Sequence, residues 1–367
     1  MLHVDRRSIQ NFDWVLLGLV SILLLLGVIN LASAAAAGVE GGMSDVVRRQ
    51  VMLIVLGVAV AAAVAFIDYR HMERFGPLIF GFALFLLVLT LVVGSVTRGA
   101  QAWLFQGSFQ PSEIAKIALV IALARYFHRH PPQTITHLRE LWTPLLITAL
   151  PVALIILQRD MGVALLTLLV ALTYLPLIHI PLRAWAGVAL VGLAALAALW
   201  SFGLKAYQRG RILDFLDPSR DPLASGYQAM QSRIAVGSGG LLGTGWQEGT
   251  QTQLRFLPTQ HTDFVFSVLA EEWGFLGSTL VLIFFSLLLL WGIWIARNSK
   301  DGFGAMLAVG LVGTLFWPAA INIAMVLGLA PVIGVPLPLF SYGGSALLSA
   351  SIAIGLLFNV SMRRYVF

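Results

Sequence analysis

Six ionisable side chains, Glu113, Lys116, Asp160, Asp263, Glu271 and Glu272, stand inside or at the edges of stretches that otherwise carry almost no charge. Keeping such groups among apolar residues is costly, so each is a candidate for chemistry. A carboxylate within hydrogen-bond reach of a hydroxyl can serve as a general base. Asp263 stands out because it follows His261-Thr262 at a helix start, where the helix dipole favours its ionised form. An N-cap is the structural alternative at that position. Glu113 and Lys116, spaced i,i+3, share a helix face and can also simply neutralise each other. Glu271 and Glu272, followed by Trp273-Gly274, read as anchors of helix packing. There are no cysteines, which excludes disulfides, thiolate metal sites and a Cys nucleophile. His128, His130 and His137 crowd a segment with Pro131-Pro132, and a solvated basic loop explains them better than a metal site. His71 and His179 read as interfacial.

The elements that must position these groups are membrane helices. Hydrophobic residues make up 59% of the 367 and charged ones 11%, too few charges to cover a water-soluble surface. A span needs roughly 20 apolar residues. Such stretches lie near 13–37, 51–67, 76–95, 111–127, 142–158, 161–180, 183–203, 264–296, 303–327 and 342–362. The expected fold is therefore all-α and polytopic, a single domain of ten transmembrane helices. Gln158-Arg159-Asp160 and His179-Ile180-Pro181 are so short that each closes a tight hairpin. The eighth stretch exceeds the minimum and is expected to tilt or project. Arg6 and Arg7 precede an apolar run too long for a signal peptide, and no small-residue cleavage site follows.

The net charge of +6 sits in short loops, which argues against nucleic-acid binding. Bases cluster at Arg6, Arg7, Arg70, Arg74, Arg125, Arg129, Arg139, Arg183, Arg297, Lys300, Arg363 and Arg364. The alternate loops hold only Arg48, Arg49, Arg98 and Arg159, so both termini are expected in the cytoplasm. The long connection, about 204–262, then faces outwards. Its Phe215, Trp246 and Phe256 among Gly and Pro suggest a folded cap with short helices. In this frame Glu113, Lys116, Asp160 and Asp263 converge on the outer leaflet, and no comparable acid is expected deep at the cytoplasmic ends. A carrier would place polar groups at both ends and through the middle; an enzyme working from outside needs them at one. The Gly/Pro run from Gly328 to Pro338, followed by Ser341-Tyr342-Gly343-Gly344-Ser345, cannot be an ordinary helix and suggests a re-entrant, cavity-lining segment.

Phe109-Gln-Pro-Ser-Glu113-Ile-Ala-Lys116, Gly239-Gly-Leu-Leu-Gly-Thr-Gly-Trp246, Phe256-Leu-Pro-Thr-Gln-His261-Thr-Asp263-Phe, Val268-Leu-Ala-Glu-Glu272 and Gly334-Val-Pro-Leu-Pro-Leu-Phe340-Ser-Tyr-Gly-Gly344-Ser together resemble the SEDS family, from the first span to the last. Gly249-Thr-Gln-Thr-Gln-Leu254 is similar to the loop of the family's elongation enzymes rather than its division enzymes. The resemblance implies a ten-helix peptidoglycan glycosyltransferase in the bacterial cytoplasmic membrane. It would polymerise lipid II, the undecaprenyl-linked disaccharide precursor, beside a class B penicillin-binding protein and other elongation-complex membrane proteins. It puts the catalytic acid on Asp263. Supporting positions fall on Glu113, Lys116, Asp160, Gln208 and Arg211, with His261 beside the acid. Ala102 stands where relatives usually carry Arg, and Arg159 where Pro is usual. Arg98 or Arg159 could supply the charge missing at Ala102.

In such a reaction a diphosphate leaves readily once its charge is neutralised, so one carboxylate plus cations should suffice, without the second acid that glycosidases use. Arg211, Arg98, Lys116 and Arg159 are the expected cations, and guanidinium suits phosphate bidentately. The resemblance also admits a divalent cation, Mg or Mn, although the sequence shows no dedicated cage. No organic cofactor is expected. A lipid II flippase and a non-catalytic scaffold for the penicillin-binding protein are the alternatives.

Overall fold

Long apolar runs without polar faces can satisfy their backbone only as helices, and the chain forms helices where those runs lie. The computed structural model describes residues 11–36, 45–97, 99–105, 107–135, 137–179, 206–217, 225–257 and 259–364, with scattered helical positions between 186 and 201. In chain order come α1 (Trp14–Ala36), α2 (Asp45–Phe66), α3 (Tyr69–Val93), β1 (Ser95–Thr97), β2 (Ala100–Trp103), α4 (Pro111–Arg129), α5 (Trp142–Leu157) and α6 (Met161–Leu172). These are followed by α7 (Ala206–Leu216), α8 (Ser225–Ser238), α9 (Thr250–Gln253), α10 (Val265–Arg297), α11 (Gly302–Val326) and α12 (Gly344–Arg363).

Seven of these segments are long and apolar enough to cross a membrane among the described residues: α1, α2, α3, the stretch Arg139–Leu157 containing α5, α10, α11 and α12. The chain is a mostly helical, polytopic membrane-type protein. Two expected spans fall outside the seven for identifiable reasons. α4 carries Glu113, Lys116, Arg125 and Arg129 within 19 residues. The stretch from Met161 breaks at Leu172 and resumes as a 3₁₀ turn at Leu175–Leu177. The expected span at 183–203 and its hairpin at 179–181 lie largely outside the described residues.

α4 tolerates its charges because it is the hub. It packs against α3, α5, α6, α11 and α12, and it is buried along most of its length. Its ends follow helix physics, with Pro111 in the first turn beside Glu113 and His128 and Arg129 in the last. Apolar side chains such as Leu78, Phe82, Phe85 and Val92 on α3 face outwards, as a lipid-facing surface requires.

Several boundaries differ from those read off hydropathy. α2 begins at Asp45 and takes in Arg48 and Arg49; α3 begins at Tyr69 and takes in Arg70, His71 and Arg74. Charged first turns are invisible to a hydropathy window. His128 belongs to α4, not to a loop, and its Nε2 lies 3.7 Å from Glu73 of α3. The all-α expectation also misses a small antiparallel hairpin, β1–β2, tied to the α5–α6 turn through Gln101 N–H donating to Gln158 O at 2.9 Å.

α10 is two helices rather than one. Gly274 has φ 63° and ψ −161°, so the helix breaks there. The freed backbone groups pair with the segment 239–245. Thr244 N–H donates to Glu271 O, Gly245 N–H to Glu272 O, Phe275 N–H to Gly240 O and Leu276 N–H to Leu241 O, at 2.9–3.1 Å. A break inside a span is tolerated where other backbone satisfies it. A separate first segment, Val265 to Trp273, accounts for the excess length of the expected eighth span.

One buried acid contradicts the expectation of a single charged end. Asp13, 5% exposed, accepts from Leu16 N–H, Trp291 Nε1 and Ser361 Oγ, fastening the start of α1 to the far ends of α10 and α12. All three donors are local protein groups, so this is a structural acid.

Candidate active site

The Gly/Pro segment between α11 and α12 organises the site. It is irregular rather than helical, as its composition requires, and is buried at Val332, Val335, Leu337, Leu339 and Phe340. Successive residues of it meet the predicted site residues one after another. Arg211 on α7 donates from Nη1 to Val332 O at 3.1 Å. Gly162, two residues after Asp160, lies so close to Ile333 that a Cβ there would sit 3.1 Å from the Ile333 carbonyl. Gly334 faces Asp263: a Cβ on Gly334 would lie 3.4 Å from Asp263 Oδ2, and its φ is +71°. Val335, Pro336 and Pro338 wall a cavity of about 30 Å³ whose polar lining is Glu113, Lys116, Thr314 and Ser349. That volume holds about two water molecules.

Asp263, 8% exposed, lies before α10 rather than on it. The N-cap position is Phe264, which makes no side-chain cap bond. The N-cap alternative for Asp263 is thus displaced by one residue. Asp263 belongs to a turn in which its own N–H donates to Thr259 O at 3.1 Å and Thr259 takes φ +55°. Three polar anchors hold that turn and the helix after it. Gln260 Nε2 donates to Ala34 O at 2.7 Å, Asn30 Nδ2 to Val265 O at 2.8 Å, and Asn322 Nδ2 to Asp263 O at 2.7 Å. His261 contributes through its backbone: its carbonyl accepts from Tyr342 N–H at 3.0 Å, and its ring meets the Tyr342 ring edge-on at 6.1 Å.

Glu113 and Lys116 form the ion pair that their spacing allows, Nζ to Oε1 at 2.8 Å, with both residues buried. The Glu113 carbonyl accepts from Ser349 Oγ of α12. Asp160 caps α6, accepting from Val163 N–H at 3.1 Å, and its other oxygen accepts from Gln110 Nε2 at 2.9 Å. Burial pushes the Asp160 carboxyl above its ordinary value; the Val163 bond opposes this and Glu113 adds to it. Gln110 immediately precedes α4, so these bonds gather Asp160 and the Glu113–Lys116 pair at one end of the bundle.

The remaining expectations divide. Arg159 is exposed at the hairpin tip with φ +66°. Ala102 is fully buried in β2, so that position offers no cation. Gln208 lies on α7, whose backbone brings Arg211 to the segment. Arg98 lies outside the described residues. Among the described residues no group of three or more His, Asp or Glu side chains converges as a dedicated metal cage. Glu271 and Glu272 serve packing. The Glu271 carboxylate accepts from Gln251 N–H, Thr252 N–H and Thr252 Oγ1, and Glu272 accepts from Ser33 Oγ. Attention to ionisable residues alone passes over Asn322 and Gln110. The signal for Asn322 was a lone amide in the apolar run of α11.

A mostly helical, polytopic membrane-type protein with a buried acidic site against a non-helical Gly/Pro segment is the class this geometry defines. The family model described as cell cycle protein, covering FtsW, RodA and SpoVE, matches residues 12–366, and the chain belongs to that family. It is 41% identical over 337 residues to the peptidoglycan glycosyltransferase MrdB of Escherichia coli, covering 90% of this chain and 88% of that one. A chain of a peptidoglycan synthase complex, solved to show how polymerization and crosslinking are coordinated, superposes with a TM-score of 0.83 at 35% identity, covering 97% of this chain and 99% of that one. The rod shape determining protein RodA of Thermus thermophilus superposes with a TM-score of 0.72 at 32% identity, covering 97% and 98%.

Proposed function

We propose that the chain is a peptidoglycan glycosyltransferase of the elongation type, extending glycan strands from lipid II at the outer face of the bacterial cytoplasmic membrane, with Asp263 as general base. One observation carries the reading. Gly334, Val335 and Pro336 bring the Asp263 carboxylate and the Glu113–Lys116 cavity to adjacent residues of a single non-helical segment.

In the reaction, Asp263 accepts the proton of the acceptor sugar's 4-hydroxyl as that oxygen bonds to the donor's anomeric carbon. The bond from that carbon to the lipid diphosphate breaks, and the diphosphate leaves with the electron pair. Lys116 and Arg211, both beside the segment, meet the diphosphate charge, with Arg159 at the exposed hairpin tip as a further cation, and Gln208 accompanies Arg211 on α7. Positioned proton transfer contributes about 10²–10⁴-fold. No step is assigned to a metal.

The membrane frame belongs to the same proposal. Ten helices place both termini in the cytoplasm and fold the 204–262 region as an outer cap. The family's crosslinking partner, a class B penicillin-binding protein, docks beside it among other elongation-complex proteins. The relative solved within a synthase complex supports that pairing.

Asp263→Asn is the test, with purified protein, its partner and labelled lipid II in detergent. The variant keeps the size of the side chain and loses the proton acceptor. It is expected to fold and bind lipid II while polymerisation falls at least about 100-fold. Glycan synthesis within a few-fold of the parent removes the assignment. Translocation of lipid II in liposomes without any polymerisation by the parent chain overturns the enzyme reading in favour of a flippase.

A further inference from the structure

The Asp263 backbone poses an accounting problem that one amide solves. A helix would ordinarily use the Asp263 carbonyl to receive Ser267 N–H, but that donor goes to Phe264 O at 3.0 Å. Asp263 O is buried next to the start of α10, and Asn322 of α11 supplies its donor at 2.7 Å. The same Asn322 Nδ2 donates to Val335 O at 2.6 Å. Asn322 is fully buried, and both of its amide protons are thereby committed. One rigid side chain thus clips the turn bearing the acid to the segment whose Gly334 faces that acid, with room for no more than a methyl group between them.

We infer that Asn322 is a positioning residue for catalysis, fixing the Asp263 carboxylate against the Gly334–Val335 backbone from a helix that need not touch the sugar. The inference rests on Asp263 as general base. Two features separate it from general packing. Both carbonyls belong to non-helical backbone, which has no internal ladder to fall back on. The clip also joins the two segments whose relative placement sets where the carboxylate points. α11, held at its far end by the Asp301 cap, is the fixed support.

A misplacement of about 1 Å at a reacting group can cost about 100-fold in rate. Removing the clip should therefore lower kcat far more than it raises KM. Asn322→Ala, Asp263→Asn and the double variant, each as full chain with its partner, form the test, read as kcat and KM on labelled lipid II. The expected result is a loss of about 100-fold in kcat for Asn322→Ala, with KM within about threefold. In the Asp263→Asn background, the same change should cost less than about threefold, because residues acting as a unit are non-additive. Asn322→Ser, which keeps a single donor, should recover part of the loss, and it replaces the alanine variant throughout if that fails to fold.

Equal losses in both backgrounds, or a lowered melting temperature with kcat per folded molecule unchanged, overturn the positioning role and leave the general base intact. Activity of Asp263→Asn within a few-fold of the parent overturns the base assignment, and the inference with it.

Discussion

Glu113 and Lys116 show what a residue-scale reading can and cannot recover. Their i,i+3 spacing foretold the pair, which forms at 2.8 Å in a buried setting. Their shared cavity with Val335 and Pro336 was not legible, because nothing local says which distant segment will face a helix. Removing one partner of a buried pair leaves the other charge uncompensated, at a cost of about 3–5 kcal/mol. Lys116→Ala should therefore lower stability and activity together, while the double exchange Glu113→Lys with Lys116→Glu should regain part of both. Unfolding midpoints and polymerisation rates, measured side by side, check this; full activity of Lys116→Ala refutes it. Asp160 gives a pH signature instead. Burial raises its folded-state pKa above the unfolded value, so the folded protein holds the proton longer. Its contribution to stability is fully present below the unfolded pKa and is lost as pH rises through the folded one. Asp160→Asn should flatten that part of the stability profile between acid and neutral pH. A profile unchanged by the substitution contradicts this.

At the scale of elements, apolar runs announced the helices, and a Gly/Pro run announced the non-helical, cavity-lining segment. The break in α10 went unread because Trp273-Gly274 interrupts neither the hydrophobicity nor the length of its run. It becomes intelligible only through its partner, the segment 239–245, brought there by the fold. A side chain at Gly274 meets two obstacles. The backbone lies in a region that only glycine visits freely, costing about 1–3 kcal/mol for other residues. Its Cβ would also sit 2.3 Å from Gly243 N. Gly274→Ala should thus loosen the 239–245 segment and lower the unfolding midpoint in detergent. Gly237→Ala on α8, where a Cβ meets nothing within 4 Å, is the control and should be neutral or slightly stabilising. Equal midpoints for the two variants refute the strain argument.

For the whole molecule, charge patterning supplies an orientation that packing alone does not. The site residues gather where α4, α6, α10 and α12 begin, and Asp13 with Trp291 and Ser361 marks the opposite end. The positive-inside rule assigns the first end to the outside. A chain without cysteines makes this directly measurable, since any introduced thiol is the only one. Ser238, at the exposed end of α8, and Lys300, exposed in the turn between α10 and α11, sit on opposite faces in that orientation. With intact cells and a membrane-impermeant maleimide, Ser238→Cys should label at once and Lys300→Cys only after permeabilisation. The reverse pattern inverts the molecule and places the Asp263 site in the cytoplasm. Every donor and acceptor assigned to the outer face would then be on the wrong side for strand synthesis, whatever the geometry of the acid. The labelling pair therefore tests the premise on which the catalytic proposal depends, without relying on any measurement of activity.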